Sequence, residues 1–193
     1  MRGHLAARCP HPEGIGTSPL AQGKAERMND DSLPEKAEKK AYRLLALRAH
    51  SEKELRDKLL RGGFSAPVVA AVIEKCREFG YLNDGRFARQ RARELAVNRL
   101  AGDRRIALDL IERGIPEELC RQAISDVRAE LSEEDAVERL LRKKARGVGV
   151  SGMDGREKMR MARSLMGKGF PTGLIIRKLK RTGEEGVHGD DGQ

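Results

Sequence analysis

A three-fold repeat, marked by Gly63, Gly114 and Gly169, constrains the fold of this 193-residue chain more than any other feature. Apolar residues recur eight and four residues before each glycine, and one, five and ten residues after it. The aligned sets are Leu55, Leu59, Phe64, Val68 and Ile73; Ile106, Leu110, Ile115, Leu119 and Ile124; and Met161, Leu165, Phe170, Leu174 and Leu179. This pattern predicts tandem units that stack, because no single unit can bury its apolar face alone.

The residues inside each period predict helices. Apolar positions follow the i, i+3, i+4 spacing of an amphipathic helix, and each period has room for about three helices of ordinary length. Ser51 with Glu54 forms a capping-box pattern, and Asp154 with Glu157 forms another. Asp84 and Ser132 are the predicted N-caps of the helices that open the second and third repeats. We therefore predict an all-α fold, with three tandem three-helix repeats that form an elongated, curved solenoid of nine helices.

Composition sets the expected boundaries of the repeats. Residues 1–33 are rich in Gly and Pro and lack apolar periodicity, so we expect a disordered N-terminal extension within which Met28 offers an alternative start. The three repeats are predicted at 34–83, 84–131 and 132–181. Residues 182–193 are glycine-rich and acidic, and we expect them to form a disordered tail.

The net charge of +9 lies in the predicted body of the protein. Residues 39–83 carry +5 and residues 132–180 carry +7, which suits an anionic partner such as nucleic acid, a nucleoprotein complex or an acidic protein face. No apolar run approaches the ~18 residues of a membrane span, and no secretory signal follows the first residues. The three cysteines are dispersed and odd in number, so we expect no disulfide framework and a cytoplasmic location.

The motifs that could carry catalysis have simpler explanations. The stretch 147–152 matches G-x-G-x-x-G, but a charged helix precedes it and no strand pattern is near, so we interpret it as an interhelical linker. His50 is expected at the surface, and Cys76 and Cys120 occupy apolar helix positions typical of a core. The sequence also lacks a Walker A lysine loop. We expect no catalytic residues, no metal and no cofactor, and hence a protein that is not an enzyme.

Basic side chains are the remaining candidates for a binding site. Three arginines share one face of a predicted helix, and a second group lies in the third repeat, where a dipole role at helix ends is the alternative. The candidate contact residues are Arg86, Arg89, Arg93, Arg142, Lys143, Lys144, Arg156 and Arg160. Phe79, Tyr81 and Phe87 are expected to pack at the junction of the first two repeats. We therefore expect any nucleic acid to be held by its backbone, without base stacking or sequence preference.

Several motifs resemble the RecX family of bacterial recombination regulators. The first is Leu47-Arg48-Ala49-His50-Ser51-Glu52-Lys53-Glu54-Leu55, followed by Lys58-Leu59. The second is Gly80-Tyr81-Leu82-Asn83-Asp84, with Phe87-Ala88 just after it. Gly-Ile-Pro at 114–116 and Gly-Phe-Pro at 169–171 also fit, and the resemblance covers roughly residues 39–181.

The resemblance implies tandem three-helix repeats and a negative modulator of RecA. Such a regulator binds the RecA recombinase and its filaments on DNA, and restrains ATP hydrolysis, strand exchange and the coprotease activity that triggers the SOS response. It also implies DNA binding. One alternative is a sequence-nonspecific DNA-binding repeat protein that affects RecA only by competing for DNA, and another is a scaffold for a different partner. A capped solenoid is expected to be a monomer.

Overall fold

The computed structural model describes residues 32–144 and 152–181. The predicted disordered tail, nearly all of the predicted extension and all but Gly152 of the glycine-rich linker lie outside these residues. Within them the fold is all-α, and no strand occurs. The helices are α1 (Ser32–Leu47), α2 (Glu52–Leu60), α3 (Ala66–Glu78), α4 (Asp84–Arg93), α5 (Asp103–Glu112), α6 (Glu117–Glu130), α7 (Glu133–Lys144), α8 (Gly155–Gly167) and α9 (Thr172–Arg181). A single π-helical turn, π1 (Glu94–Asn98), continues α4.

The repeat predicted from the glycines is present in the structure. Gly63, Gly114 and Gly169 each end the middle helix of a three-helix group, with φ of 88°, 78° and 90°. These angles lie in the left-handed region that glycine adopts at little cost. The apolar side chains form three separate clusters, drawn from residues 37–82, 87–127 and 131–179. The fold is therefore an all-α helical repeat in which each group of three helices has its own core.

Most of the predicted helix caps are confirmed, and one is wrong. The Ser51 hydroxyl accepts from the Glu54 N–H at 3.1 Å, and Asp154 forms a complete capping box with Glu157. The N-cap of α4 is Asn83, not Asp84. Asp84 instead reaches across to α2, where its Oδ1 accepts from the Glu52 N–H at 2.9 Å. The carboxylate satisfies a helix end in the preceding repeat, which local spacing cannot reveal.

Three expectations about exposure are also wrong. His50 is buried, and both of its ring nitrogens have polar neighbours: Nδ1 lies 2.9 Å from the Arg48 carbonyl oxygen and Nε2 lies 2.9 Å from Lys58 Nζ. Burial is the main cause that lowers the pKa of His50. Phe79 and Tyr81 are 61% and 56% exposed, since the buried position of this turn is taken by Leu82. Phe87 is buried, as expected.

The middle helices of successive repeats meet end to start. The end of α5 lies against the start of α2, where the Ser51 hydroxyl donates to the Arg113 carbonyl oxygen at 2.7 Å. The end of α8 lies in the same way against the start of α5, where the Gly102 N–H donates to the Lys168 carbonyl oxygen at 2.9 Å. This arrangement brings a carbonyl-rich helix end to an amide-rich helix start, which suits the helix dipoles.

Charged side chains reinforce the contact between the first two repeats. Arg91 on α4 makes a two-pronged pair with Asp109 on α5, with both N–O distances at 2.8 Å. Asp109 also accepts from Arg113, which in turn pairs with Glu54 on α2. The Asp109 carboxylate is only 12% exposed. The hydrogen bond from Arg91 is the main cause that holds the pKa of Asp109 well below its usual range.

Candidate nucleic-acid interface

A basic groove lies where the second repeat meets the third. Its volume is about 660 Å³, and it runs between the loop after π1 and the helices α7 and α8. The cationic side chains that line the groove are Arg99, Lys143, Lys144, Arg160 and Lys168, and the one acidic residue among its lining residues is Glu157. Glu157 already accepts from the Asp154 N–H in the capping box of α8. The groove therefore carries an excess of positive charge that an anion would neutralise.

Local structure holds these cations in place. The π-helical turn and Leu100, which has a positive φ of 48°, direct the chain that carries Arg99 along one wall. Lys168 ends α8 and donates to the Arg99 carbonyl oxygen at 2.8 Å. Lys144 donates to the Ser164 hydroxyl at 2.7 Å, which ties α7 to α8. The groove is thus built by contacts between elements far apart in sequence.

The electrostatics of the groove show that its cations are crowded. The pKa of Lys168 is lowered, first by burial and then by the positive charges of Lys144 and Lys143. Lys143 and Arg160 make no hydrogen bond or ion pair with the residues that the structure describes. A phosphate or carboxylate in the groove would relieve this repulsion and would raise the pKa of Lys168. The site is therefore suited to hold an anion.

The structure brings together three of the eight predicted contact residues, namely Lys143, Lys144 and Arg160. Arg142 is 78% exposed and lies 3.7 Å from Glu138, and it does not line the groove. Arg156 is exposed near the start of α8 and does not line the groove either.

Three arginines of α4 form a separate exposed row, namely Arg86, Arg89 and Arg93. The Arg86 Nη2 donates to the Gly80 carbonyl oxygen at 2.9 Å. Arg93 pairs with Glu130 at 2.8 Å, so part of its charge is already neutralised. Arg89 is exposed and makes no ion pair within the described part of the chain. The buried side of α4 carries Phe87 among other apolar residues, which leaves this row facing solvent.

Sequence reasoning missed Arg99 and Lys168. Arg99 follows a π-helical turn, and Lys168 lies between two glycines at a helix end, where a cation has an ordinary role with the helix dipole. The two residues meet only because α8 ends against the start of α5. The repeat could have indicated this contact, since Gly169 and Gly114 mark equivalent helix ends.

Other kinds of site find no support in residues 32–144 and 152–181. These residues hold no group of three or more His, Cys, Asp or Glu side chains that could bind a metal ion. Cys76 and Cys120 are buried in the core, as predicted, and burial raises the pKa of both thiols. No helix among these residues is long and apolar enough to cross a membrane.

Comparison with known proteins gives a consistent set of matches. The family model of the first three-helix domain of RecX matches residues 37–76, and that of the second three-helix domain matches residues 83–124. The regulatory protein RecX of Syntrophotalea carbinolica is 32% identical over 71% of this chain and 90% of its own length. That of Halorhodospira halophila is 34% identical over 79% of this chain and 91% of its own length. The crystal structure of RecX from Lactobacillus salivarius superposes with a TM-score of 0.66, at 22% identity, over 78% of this chain and 99% of that one.

The fold and the groove together define a class of protein, an all-α helical-repeat protein with a cationic groove between its repeats. The similarity to curated relatives then gives the family. This chain belongs to the RecX family of regulatory proteins.

Proposed function

We propose that this protein is a non-enzymatic negative regulator of RecA. It binds RecA and RecA–DNA filaments as a monomer, and restrains recombinase, ATPase and coprotease activity in DNA repair, recombination and the SOS response. Family membership supports the identity of the partner. The observation that carries the proposal is the basic groove between the second and third repeats, because a nucleoprotein filament offers both phosphates and acidic side chains to such a surface.

The groove supplies phosphate contacts without base recognition. Lys143 and Arg160, which have no partner among the residues that the structure describes, are of the two types that hold phosphate oxygens, and Arg160 can do so with two parallel hydrogen bonds. Contacts of this kind position a protein on DNA and carry no sequence information. The proposed role of the groove is therefore to seat the regulator along the filament.

The test is RecA ATP hydrolysis on single-stranded DNA, with this protein well below one per RecA and with DNA in excess. Inhibition under these conditions is expected, because a regulator that acts on the filament affects many RecA subunits. Inhibition that appears only when the DNA is saturated would refute the proposal. That outcome would favour a DNA-binding repeat protein that acts by competition.

A pair of charge variants tests the groove directly. Lys143→Gln with Arg160→Gln should weaken binding to double-stranded DNA and reduce the magnitude of its salt slope by about 2, since each phosphate contact on a duplex contributes roughly 0.9. The matched control is Lys36→Gln with Arg61→Gln. These residues are exposed, make no ion pair within the described ranges, and lie outside the groove. An unchanged slope in the groove variant would show that phosphates bind elsewhere.

A further inference from the structure

A second cleft, on the first repeat, is lined by exposed aromatic side chains. Its volume is about 590 Å³, within the range of about 300–1,000 Å³ that small-ligand sites occupy. The residues that line it are Tyr42, Leu45, Ala46, Phe79, Gly80, Tyr81 and Arg86. Acidic side chains are absent from this lining. The cleft is therefore apolar, aromatic and cationic at one edge.

Three of the chain's six aromatic rings gather in this cleft. The Tyr42 and Tyr81 rings lie 5.6 Å apart edge to face, and the Phe79 and Tyr81 rings lie 6.2 Å apart and tilted. Phe79 and Tyr81 are more than half exposed, although Leu82 beside them is 5% exposed. Large aromatic rings that stay in solvent next to a filled core position gain no burial energy on folding, and a contiguous exposed apolar patch is typical of an interaction site. They point to a ligand that covers them.

Arg86 supplies the charge at the edge of the cleft. Its guanidinium donates one hydrogen bond, to the Gly80 carbonyl oxygen, so this bond fixes its position against the aromatic turn. The other N–H groups have no partner within the described residues, and an arginine has five such donors. Arg89 lies one turn further along α4, exposed and without an ion pair within those residues. Two cations therefore follow the aromatic rings in a short row.

We infer that this cleft binds an unpaired base of single-stranded DNA. An exposed ring of Tyr81 or Phe79 provides a face on which a base can stack, and Arg86 with Arg89 can hold the phosphates that flank it. Aromatic platforms beside a cationic track are the usual means of binding single strands without sequence preference. A duplex keeps its bases inside, so the cleft should select unpaired bases.

This inference goes beyond the proposed function, which assigns only backbone contacts in the groove. That the bound single strand is DNA rests on that proposed function. The capture of a base by the cleft does not depend on it. The test therefore uses the protein and an oligonucleotide without RecA, so that failure here and failure of RecA regulation are separate results.

The sequence provides a probe for this cleft. The chain has no Trp and two tyrosines, Tyr42 and Tyr81, and both line the cleft. Intrinsic tyrosine fluorescence therefore reports on this site alone. A short thymidine oligomer should quench the emission, whereas an abasic oligomer of the same length and charge should not. The same oligomers added to N-acetyltyrosinamide correct for absorption, and Tyr42→Phe leaves Tyr81 as the single emitter.

Two variants complete the test. Tyr81→Leu with Phe79→Leu should weaken binding of the thymidine oligomer by roughly 5- to 150-fold and leave binding of the abasic oligomer unchanged. The groove variant, Lys143→Gln with Arg160→Gln, should weaken the binding of both oligomers by the same factor. Equal affinity of the wild-type protein for both oligomers would overturn the inference. So would a cleft variant that keeps the wild-type preference for the thymidine oligomer over the abasic one, because the bases would then stack elsewhere.

Discussion

Substitution of selected glycines by alanine can separate two contributions to folding stability: the backbone strain at a left-handed turn and the close contact between repeats. Gly63 and Gly169 have nearly the same φ, 88° and 90°. A Cβ at Gly63 meets nothing within 4 Å, whereas one at Gly169 would lie 2.5 Å from the Arg105 backbone nitrogen. Gly102 provides the third case. Its φ of −80° is ordinary, but a Cβ there would lie 2.5 Å from the Gly169 carbonyl carbon and oxygen.

The expected costs follow from these contacts. Gly63→Ala should cost about 1–2 kcal/mol, because an L-residue is strained in the left-handed region. Gly102→Ala should cost about 1–3 kcal/mol, because the added methyl forces two backbone segments apart. Gly169→Ala combines both effects, and the sum is about 2–5 kcal/mol. The reduced entropy of the unfolded chain offsets each value by roughly 0.5 kcal/mol, equally in all three variants.

The measurement is urea unfolding followed by far-ultraviolet circular dichroism and by tyrosine fluorescence. Circular dichroism reports on all helices, whereas the tyrosines report on the first repeat. In Gly169→Ala and Gly102→Ala the dichroism transition should move to lower urea and separate from the tyrosine transition, since repeats are stabilised by their neighbours. If Gly63→Ala and Gly169→Ala lose the same stability, the contact of α8 with α5 does not contribute and the reasoning is wrong.

Three further predictions concern polar groups that are buried or partly buried. Asp109→Asn should lose on the order of 2 kcal/mol, because Arg91 loses the charge of its two-pronged partner and keeps only Glu94 as an ionised partner. Because the folded pKa of Asp109 is depressed, the wild type should lose stability as pH falls below about 4, and the variant should lack part of this loss. Asp84→Ala and Glu133→Ala should each cost about 1 kcal/mol, with recovery in Asp84→Asn and Glu133→Gln, as measured by urea midpoints. The His50 ring should titrate below its ordinary pKa of about 6.5 in NMR, and stability should fall as pH drops through that value because the unfolded chain takes up the proton first.

The repeat was predictable because its apolar residues obey helical spacing three times over. Leu55, Ile106 and Met161 are buried at equivalent positions, as the alignment on glycines requires. The helix ends at Gly63 and Gly114 were equally readable, since glycine is the residue that tolerates a left-handed turn. Local patterns therefore determined helix number, order and the inward face of each helix.

What the sequence could not reveal depends on contacts between repeats. Asp84 has every local feature of an N-cap, yet it accepts from a backbone amide in the preceding repeat. His50 lies next to a cap serine, yet the docking of α2 and its neighbours buries it. The groove needs Arg99 and Lys168 to meet across 69 residues. Spacing along one helix carries no information about such distant pairs.

At the cleft the prediction was wrong in the opposite direction, because side chains that were expected to pack are exposed. Phe79 and Tyr81 are aromatic and follow a helix, which favours burial on average. Leu82 takes the buried position because the chain turns at Gly80, where φ is 70°. A shift of one residue at a turn exchanges the inward and outward side chains, and the sequence alone could not fix that register.

Asp84 and Glu133, near the starts of the second and third repeats, each cap a helix of the preceding repeat, and this affects how the chain folds during synthesis. The first amide of α2 is satisfied by Asp84, and that of α5 by Glu133, each from the following repeat. α8 has no following repeat within the described residues, and its start is closed by its own Asp154 and Glu157. A nascent chain therefore leaves the ribosome with each repeat incomplete until the next one emerges. The start of α8 is capped by residues of its own repeat, so we expect α2 and α5 to become fully capped only after the next repeat has been made, whereas α8 can be capped as soon as Asp154 and Glu157 have emerged.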